Sequence, residues 1–325
     1  MWPPTRRHEP SFVRQADVIV DVHSHLFPEA WRHEGMMPDD MFSVDKLIDE
    51  LGEAGIDRAF ISDPHIWYGE PDMNEVDRCR EYNEFAASLV RDHTLVLGAL
   101  GTVVPWRGSD HVAEAERAIR VLGLSGLAVA TSDRDQLLDA VPAEFWELVV
   151  GLRVPVFLHP GGTVVGQQHM GDHRLGEICG RPLDMTLTLA RAVMSGLLER
   201  YPNLQLLCAH AGGGICMIAD RLDFGHELRD HAPLGPWKGH RLTAPPSASV
   251  KRLHLDTVTY GPEPLRLALA TVGPRQVLFG SDHPPVPFPL SRSLGVVRAV
   301  GLSAADEARV LGRNAGELFR FAPTG

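Results

Sequence analysis

Short apolar segments alternate with longer amphipathic segments along the chain, and this alternation predicts its fold. The apolar segments are nearly continuous, which is typical of parallel strands that are buried on both faces. The eight predicted strands are Val18–Val22, Arg58–Ser62, Val96–Thr102, Gly126–Ala130, Pro155–His159, Gln205–Ala209, Arg252–Asp256 and Gln276–Ser281.

Helical patterns fill the segments between the predicted strands. The clearest is Leu183–Leu198, where apolar side chains recur at helical spacing. Glycines stand where helices should end before the next strand, and a capping box should open the last helix. These signals are Gly55, Gly123, Gly273 and the segment Ser303-Ala304-Ala305-Asp306.

Eight strand–helix units follow one another without a repeat, a low-complexity segment or a linker. This pattern predicts an α/β fold, a single (β/α)8 barrel like that of triosephosphate isomerase, the TIM barrel. The domain is expected to take in residues 1–325, with its core at about 16–320. An open, doubly wound sheet is the alternative, but the count of eight and the absence of a break favour the barrel.

The composition and charge of the chain argue against some classes of binding partner. The 325 residues are 44% hydrophobic and 22% charged, and the formal net charge of −11 argues against a nucleic-acid partner. We expect no membrane partner, since no segment is long and apolar enough to span a bilayer. The first residues, Met1–Arg7, lead into no apolar signal segment, so a cytoplasmic location is expected. The four cysteines lack C-x-x-C spacing and are expected to be free thiols.

Histidine and aspartate side chains cluster at the predicted strand ends. His23 and His25 are two residues apart in an extended segment, so both should point to the same side and reach one ion. His159, His210 and Asp282 follow three later strands. A lone histidine is usually a surface or hydrogen-bonded core residue. Five such side chains at one end of a barrel instead predict a metal-dependent enzyme. Six other histidines are expected at the surface: His8, His33, His93, His111, His231 and His240.

Four motifs carry a resemblance to a known family, and they span the chain from about Val18 to Phe319. They are Asp-Val-His-Ser-His-Leu-Phe-Pro-Glu-Ala-Trp at 21–31, Phe-Leu-His-Pro at 157–160, Cys-Ala-His-Ala-Gly-Gly-Gly at 208–214 and Phe-Gly-Ser-Asp at 279–282. In this order they resemble the amidohydrolase superfamily, whose barrel is of the metal-dependent hydrolase type. Within it they are similar to the aminocarboxymuconate-semialdehyde decarboxylase-like branch, the amidohydrolase 2 family.

The resemblance implies one divalent metal ion held by His23, His25, His159 and Asp282, and no organic cofactor. Zinc is the expected ion, with manganese an alternative, and water would complete its shell. His210 would be the unligated acid/base beside that water, and Asp282 could share the proton transfer through its free oxygen. A two-metal site is disfavoured because Thr131-Ser132-Asp133 supplies no bridging lysine after the fourth strand.

The sequence gives weaker signals for substrate-binding residues than for metal ligands. The resemblance implies that Arg229 binds a substrate carboxylate in the neighbouring subunit, which would require a homodimer; a solvated surface arginine is the alternative. Trp67 could line the pocket for a planar substrate, or serve only in packing. Asp256 does not bind the metal in this scheme, but it could orient either the metal-bound water or one of the metal ligands. The long insertion after the first motif of the resembled decarboxylase is missing here, and Thr257–Pro262 lacks the family's His-Asp-Pro.

We therefore expect a metal-dependent, non-oxidative decarboxylase, a carbon–carbon lyase acting on a small unsaturated or aromatic carboxylic acid. A metal-activated water, with His210 and Asp282 as acid/base, would carry the reaction. A metal-dependent hydrolase of a lactone, amide or ester, with a zinc hydroxide at the same site, is the alternative. A barrel that only binds a ligand is disfavoured, since a binding protein needs no general base.

Overall fold

A computed structural model of the chain describes residues 18–32, 37–63, 75–133, 136–162, 164–231, 237 and 239–321. Eight strands in these ranges form one parallel sheet in chain order. They are β1 (Val20–His25), β2 (Arg58–Ser62), β3 (Leu97–Thr102), β4 (Gly126–Ala130), β5 (Val156–His159), β6 (Leu206–Cys208), β7 (His254–Asp256) and β8 (Val277–Leu278).

The sheet closes on itself where β8 and the residues after it meet β1. The backbone N–H of Val22 donates to the carbonyl of Phe279 at 2.9 Å, and the N–H of Asp282 donates to the carbonyl of His23 at 2.8 Å. A parallel bridge joins Ser24 to His283. The fold is therefore the predicted (β/α)8 barrel, and the open-sheet alternative is excluded.

Helices surround the barrel and connect successive strands, as parallel pairing requires. They are α1 (Val44–Ala54), α2 (Glu75–Asp92), α3 (Ser109–Arg120), α4 (Ala143–Leu152), α5 (Arg181–Met194), α6 (Leu197–Arg200), α7 (Ile215–Glu227), α8 (Pro246–Val250), α9 (Pro262–Val272), α10 (Leu290–Ala299), α11 (Ala304–Ala308) and α12 (Asn314–Phe319). No helix of the described residues is long and apolar enough to cross a bilayer.

Alternate side chains of each strand fill two separate cores, because successive side chains of a strand point to opposite faces. Val22, Phe60, Leu100, Phe157 and Leu207 belong to the cluster inside the barrel. The other face of the strands packs against the helices in a larger apolar layer. The buried strands hold the strand ends rigidly, and these ends carry the polar site.

Six strands differ from their predicted bounds: β3, β5, β6 and β7 by no more than two residues at either end, and β1 and β8 by three residues at the carboxyl end. β1 continues through His25, beyond the predicted end at Val22, because its backbone pairing with β2 does not depend on side-chain polarity. An irregularity in this pairing lies between Asp21 and Ser24. β8 ends at Leu278, earlier than predicted, since the N–H of Phe279 donates to the carbonyl of Val310 at 2.8 Å.

The helix signals are mostly confirmed. Gly55, Gly123 and Gly273 all have positive φ, and Ser303 Oγ accepts the N–H of Asp306 at 3.2 Å. The predicted helix over Leu183–Leu198 was wrong in one respect: it breaks between α5 and α6, where Gly196 has a φ of 77°. Its left-handed backbone suits glycine and ends α5.

The surface position expected for His111 was wrong: it is buried, and its Nδ1 accepts the N–H of Val104 at 3.2 Å. All four cysteines lie in the described ranges and are free thiols, as expected.

Candidate metal centre and its cleft

Four buried side chains meet at the carboxyl end of the barrel. One ligand atom from each of His23, His25, His159 and Asp282 lies within 4.8 Å of all the others. Nε2 of His23 is 3.1 Å from Nε2 of His25, and Oδ1 of Asp282 is 3.1 Å from Nε2 of His25 and 3.3 Å from Nε2 of His23. Strands β1 and β5 and the turn after β8 bring these residues together.

These separations fit a metal ion. Ligands about 2.1 Å from one cation stand roughly 3.0–3.4 Å apart in octahedral or tetrahedral arrangements. Two imidazole nitrogens and a carboxylate oxygen already have this spacing. The set of three nitrogens and one oxygen suits zinc and manganese alike.

The outer nitrogen of each histidine is held by an oxygen. Nδ1 of His23 is 2.7 Å from Oδ2 of Asp256, Nδ1 of His25 is 3.1 Å from the carbonyl of Ser62, and Nδ1 of His159 is 2.9 Å from the carbonyl of Pro160. These acceptors require a proton on each Nδ1, so that each ring, once neutral, has the lone pair of its Nε2 directed toward the centre. The same arrangement orients histidine ligands in metal proteins.

The charges of the cluster compensate each other. Burial alone would lower the pKa of His23, but the carboxylates of Asp282 and Asp256 outweigh it and raise the pKa to about 10. Burial lowers the pKa of His25 and of His159. Burial alone would raise the pKa of Asp282, but the charge of His23 outweighs it and holds the pKa well below its usual value. A proton on His23 thus supplies the positive charge that a bound metal cation would supply.

Asp256 connects the centre to the loop after β6. Its Oδ2 accepts the backbone N–H of His210 at 3.1 Å in addition to Nδ1 of His23, and its Oδ1 accepts the N–H groups of Ala211 at 2.8 Å and Val258 at 3.1 Å. Of the two contacts expected from sequence for Asp256, the structure shows the one to His23.

Asp21 joins β1 to the segment after β8, a role that was not predicted from the sequence. It is fully buried and accepts the backbone N–H groups of His23 and Ser281, both at 3.0 Å. The hydroxyls of Ser24 and Ser281 also donate to it. An acidic residue within an otherwise apolar strand, two positions before a histidine pair, was the available signal.

Gly280 is required by close packing at this point. A Cβ added there would lie 2.9 Å from Cβ of His23 and 3.1 Å from Cβ of Asp256, closer than side chains normally approach. The next residue but one, Asp282, has a left-handed φ of 60° that turns its carboxylate toward the histidines.

His210 lies beside the four-residue cluster. Its ring centroid is 5.5 Å from those of His23 and His159, and its backbone has a left-handed φ of 51°. Burial lowers its pKa to about 4, so the ring is neutral near neutral pH. Within the described part of the chain, its buried Nε2 has no hydrogen-bond partner. A neutral imidazole with an unused nitrogen is suited to exchange a proton with a bound molecule.

A cleft of about 530 Å³ opens above His210 and Asp282. Its walls are mostly apolar, with Met217, Val258 and Leu267 among them, and its volume suits a small organic molecule. Tyr260 also lines it and donates its hydroxyl to Oδ2 of Asp282 at 3.3 Å. Arg174, Glu177 and Arg181 supply further charge at the wall. Tyr260 and Arg181 were not among the predicted site residues.

Arg229, predicted to bind substrate, does not line the cleft of its own chain. Arg229 follows α7, where its guanidinium donates to the carbonyl of His226 at 2.8 Å and lies 3.9 Å from Asp230. It is not among the described residues that line the cleft. Trp67 lies outside the described residues. His283, next to Asp282, points away from the centre and pairs with Glu50 at 2.7 Å.

Comparison with known proteins identifies the family. A sequence model described as amidohydrolase matches residues 20–321. The chain therefore belongs to this family and is an enzyme of the amidohydrolase superfamily, as its motifs indicate. It is 23% identical to the 2-amino-3-carboxymuconate-6-semialdehyde decarboxylase of Dictyostelium discoideum, over 94% of this chain and 92% of that protein.

Solved structures share the fold. The 5-carboxyvanillate decarboxylase of Sphingomonas paucimobilis superposes with a TM-score of 0.82 at 20% identity, covering 94% of this chain and all of that one. A dihydroxybenzoic acid decarboxylase of Polaromonas sp. JS666, solved with manganese and 2-nitroresorcinol, has a TM-score of 0.77 at 20% identity. It covers 93% of this chain, which covers 97% of it.

Proposed function

We propose that this chain is a metal-dependent, non-oxidative decarboxylase of a small unsaturated or aromatic carboxylic acid. The observation that carries the proposal is the convergence of His23, His25, His159 and Asp282 beside His210, at the base of a cleft with apolar walls. The decarboxylases to which the chain is similar over almost its whole length support this choice over hydrolysis.

The four-residue cluster would hold one divalent ion. Its nitrogen and oxygen ligands suit zinc or manganese, and manganese is present in one structural neighbour. When bound, such an ion supplies a Lewis acid that stabilises negative charge developing on a substrate oxygen.

Decarboxylation breaks one carbon–carbon bond and needs one proton. Carbon dioxide leaves without the bonding electrons, and the substrate carbon that keeps them is protonated, so no oxidant is required. His210 carries this proton: its neutral Nε2 accepts a proton from solvent or a substrate hydroxyl and gives it to that carbon. The free oxygen of Asp282, next to Tyr260, assists the transfer. The apolar walls keep water from the reacting bond.

A panel of aromatic and unsaturated acids tests the reaction. Chain loaded with manganese or zinc should release carbon dioxide, measured by mass spectrometry of the headspace, and give a product lighter by one carbon dioxide. Products that instead gain water would support hydrolysis and refute the proposal, and so would full activity after exhaustive chelation.

His210→Asn separates catalysis from metal binding. Loss of proton transfer should reduce turnover by about 10²- to 10⁴-fold, while metal content, measured by elemental analysis, stays at the wild-type level. Exposed His173→Asn is the matched control and should leave turnover unchanged. Unaltered turnover in His210→Asn would remove His210 from the mechanism.

We also propose that the chain forms a homodimer in which Arg229 reaches the partner's cleft. Its position outside the cleft of its own subunit is compatible with this role. Sedimentation of the wild type tests the dimer, and turnover of inactive His210→Asn mixed with Arg229→Gln tests sharing of sites. The cytoplasmic location expected from the sequence stays a prediction.

A further inference from the structure

One face of a single helical segment forms a wall of the cleft. Glu177, Ile178, Arg181 and Pro182 of this segment line it, and so does Arg174, which lies in the turn just before the segment with a left-handed φ of 55°. Part of this segment is a π-helical stretch, Gly176–Gly180, directly before α5. Such widened turns are often found at functional sites, because they shift which side chains a helix presents.

The two arginines that line this wall differ in exposure. Arg174 has a side chain that is 76% exposed, and its Nε donates to Glu177 at 2.9 Å. Its charge is surrounded by water, where ionic interactions are weak. Arg181 is only partly exposed. Arg181 also acts on the centre: burial is the main cause of the lowered pKa of His210, and the charge of Arg181 contributes in the same direction.

The rest of the cleft wall is mostly apolar and lies beside the positive charge of Arg181. Val258, Leu267 and Val286 line it, and Tyr260 adds an aromatic ring. A molecule that fills such a cleft has an apolar body and an anionic group near the guanidinium. Guanidinium binds carboxylate through two parallel hydrogen bonds, which fixes orientation as well as charge.

We propose that Arg181 binds the carboxylate of the substrate and thereby selects compact carboxylic acids over neutral molecules of the same shape. The choice of a carboxylic acid rests on the proposed function. Arg181 belongs to the same chain as the metal centre, so this contact needs no second subunit. It differs in this respect from the role expected for Arg229.

Ligand binding without turnover tests the proposal. 2,6-Dihydroxybenzoate and resorcinol share a ring with two hydroxyls and differ in the carboxylate. Their affinities are measured by isothermal titration calorimetry with metal-loaded and metal-free chain. Arg181→Gln should weaken binding of 2,6-dihydroxybenzoate by about 10- to 100-fold, the loss expected for a charge-assisted pair. Arg181→Lys, which keeps the charge but not the paired geometry, should fall between Arg181→Gln and the wild type.

Three comparisons make the result specific. Resorcinol should bind every variant within about threefold of the wild type, because it has no group for a cation to pair with. Arg191→Gln, on the exposed side of α5 and not among the described residues that line the cleft, should bind the acid within the same range. Thermal melting and metal content of Arg181→Gln show whether the barrel is intact, and Arg181→Lys provides a second reading if it is not.

The opposite results are equally clear. Equal weakening of both ligands in Arg181→Gln, unchanged affinity for the acid, or no measurable binding of the acid by the wild type would each overturn the proposal. Acid binding that depends on Arg181 in a chain that releases no carbon dioxide would refute the proposed reaction and leave the role of Arg181 standing. Carbon dioxide release that is insensitive to Arg181→Gln would support the proposed reaction and refute the role of Arg181.

Discussion

Asp256→Asn is a demanding test of how the centre is built. The substitution keeps the shape of the side chain but removes its charge and turns one oxygen into an NH₂ group. Asp256 accepts four N–H donors, two on each oxygen: Nδ1 of His23 and the backbone of His210 on Oδ2, and the backbones of Ala211 and Val258 on Oδ1. Whichever way the amide turns, two donors face a group that cannot accept.

The size of the effect follows from this count. An unsatisfied buried donor costs about 1–3 kcal/mol, so two of them should lower the free energy of unfolding by about 2–6 kcal/mol. Loss of the carboxylate behind His23 should also weaken metal binding by about 10- to 100-fold, as for other partners of histidine ligands. The stability loss is within the usual total for a domain, so the variant is expected to fold.

Two measurements decide the outcome. Denaturant unfolding of metal-free chain gives the stability, and competition with a chelator gives the metal affinity. Asp57→Asn is the control, because Asp57 Oδ2 accepts a single backbone donor, the N–H of Ile19 at 2.7 Å, which an amide oxygen can still serve. Wild-type stability and metal affinity in Asp256→Asn would refute the view that this carboxylate orders both His23 and the loop of His210.

Three further predictions concern the same centre. The metal-free chain holds a proton on His23, whose pKa is raised to about 10. Metal binding near neutral pH should therefore release about one proton, and metal affinity should rise with pH until about pH 10. Calorimetry in buffers of different ionisation enthalpy measures the proton release, and release of no proton would contradict this prediction. Gly280→Ala should weaken metal binding at least tenfold, since its Cβ would lie 2.9 Å from Cβ of His23, whereas Gly52→Ala, with open space around it, should have no effect. Tyr260→Phe removes the donor to Asp282 and should lower kcat by roughly 2- to 10-fold with unchanged metal content; a drop in metal content would instead assign Tyr260 to holding the ligand.

The strands and their order were predictable because they depend on local patterns. Apolar runs of β-forming residues mark β2 and β4 to the residue, and helix-ending glycines such as Gly55 agree with them. The ends of β1 and β8 were placed less well, since they are set by pairing with distant segments: β1 pairs with β2, and Phe279 bonds to Val310.

The four side chains that converge at the candidate metal centre were also singled out from sequence, because residue type and position at a strand end are both visible there. The groups that hold these side chains in position were not predicted from sequence. Asp21, Ser62 and Pro160 act through backbone groups or through contacts that join remote segments. Arg181 stands at the start of a long helix with no motif around it, and only the barrel brings that helix face into the cleft.

The sequence by itself determined the type of barrel and which chemically competent side chains stand at its carboxyl end, because both follow from local hydrophobic periodicity and residue type. The tertiary structure alone decided that three nitrogens and one oxygen share a centre, that Asp256 links that centre to His210, and that Arg181 rather than Arg229 lines this subunit's cleft. The physical reason is distance along the chain: these groups are far apart in sequence, and only closure of the barrel brings them within contact.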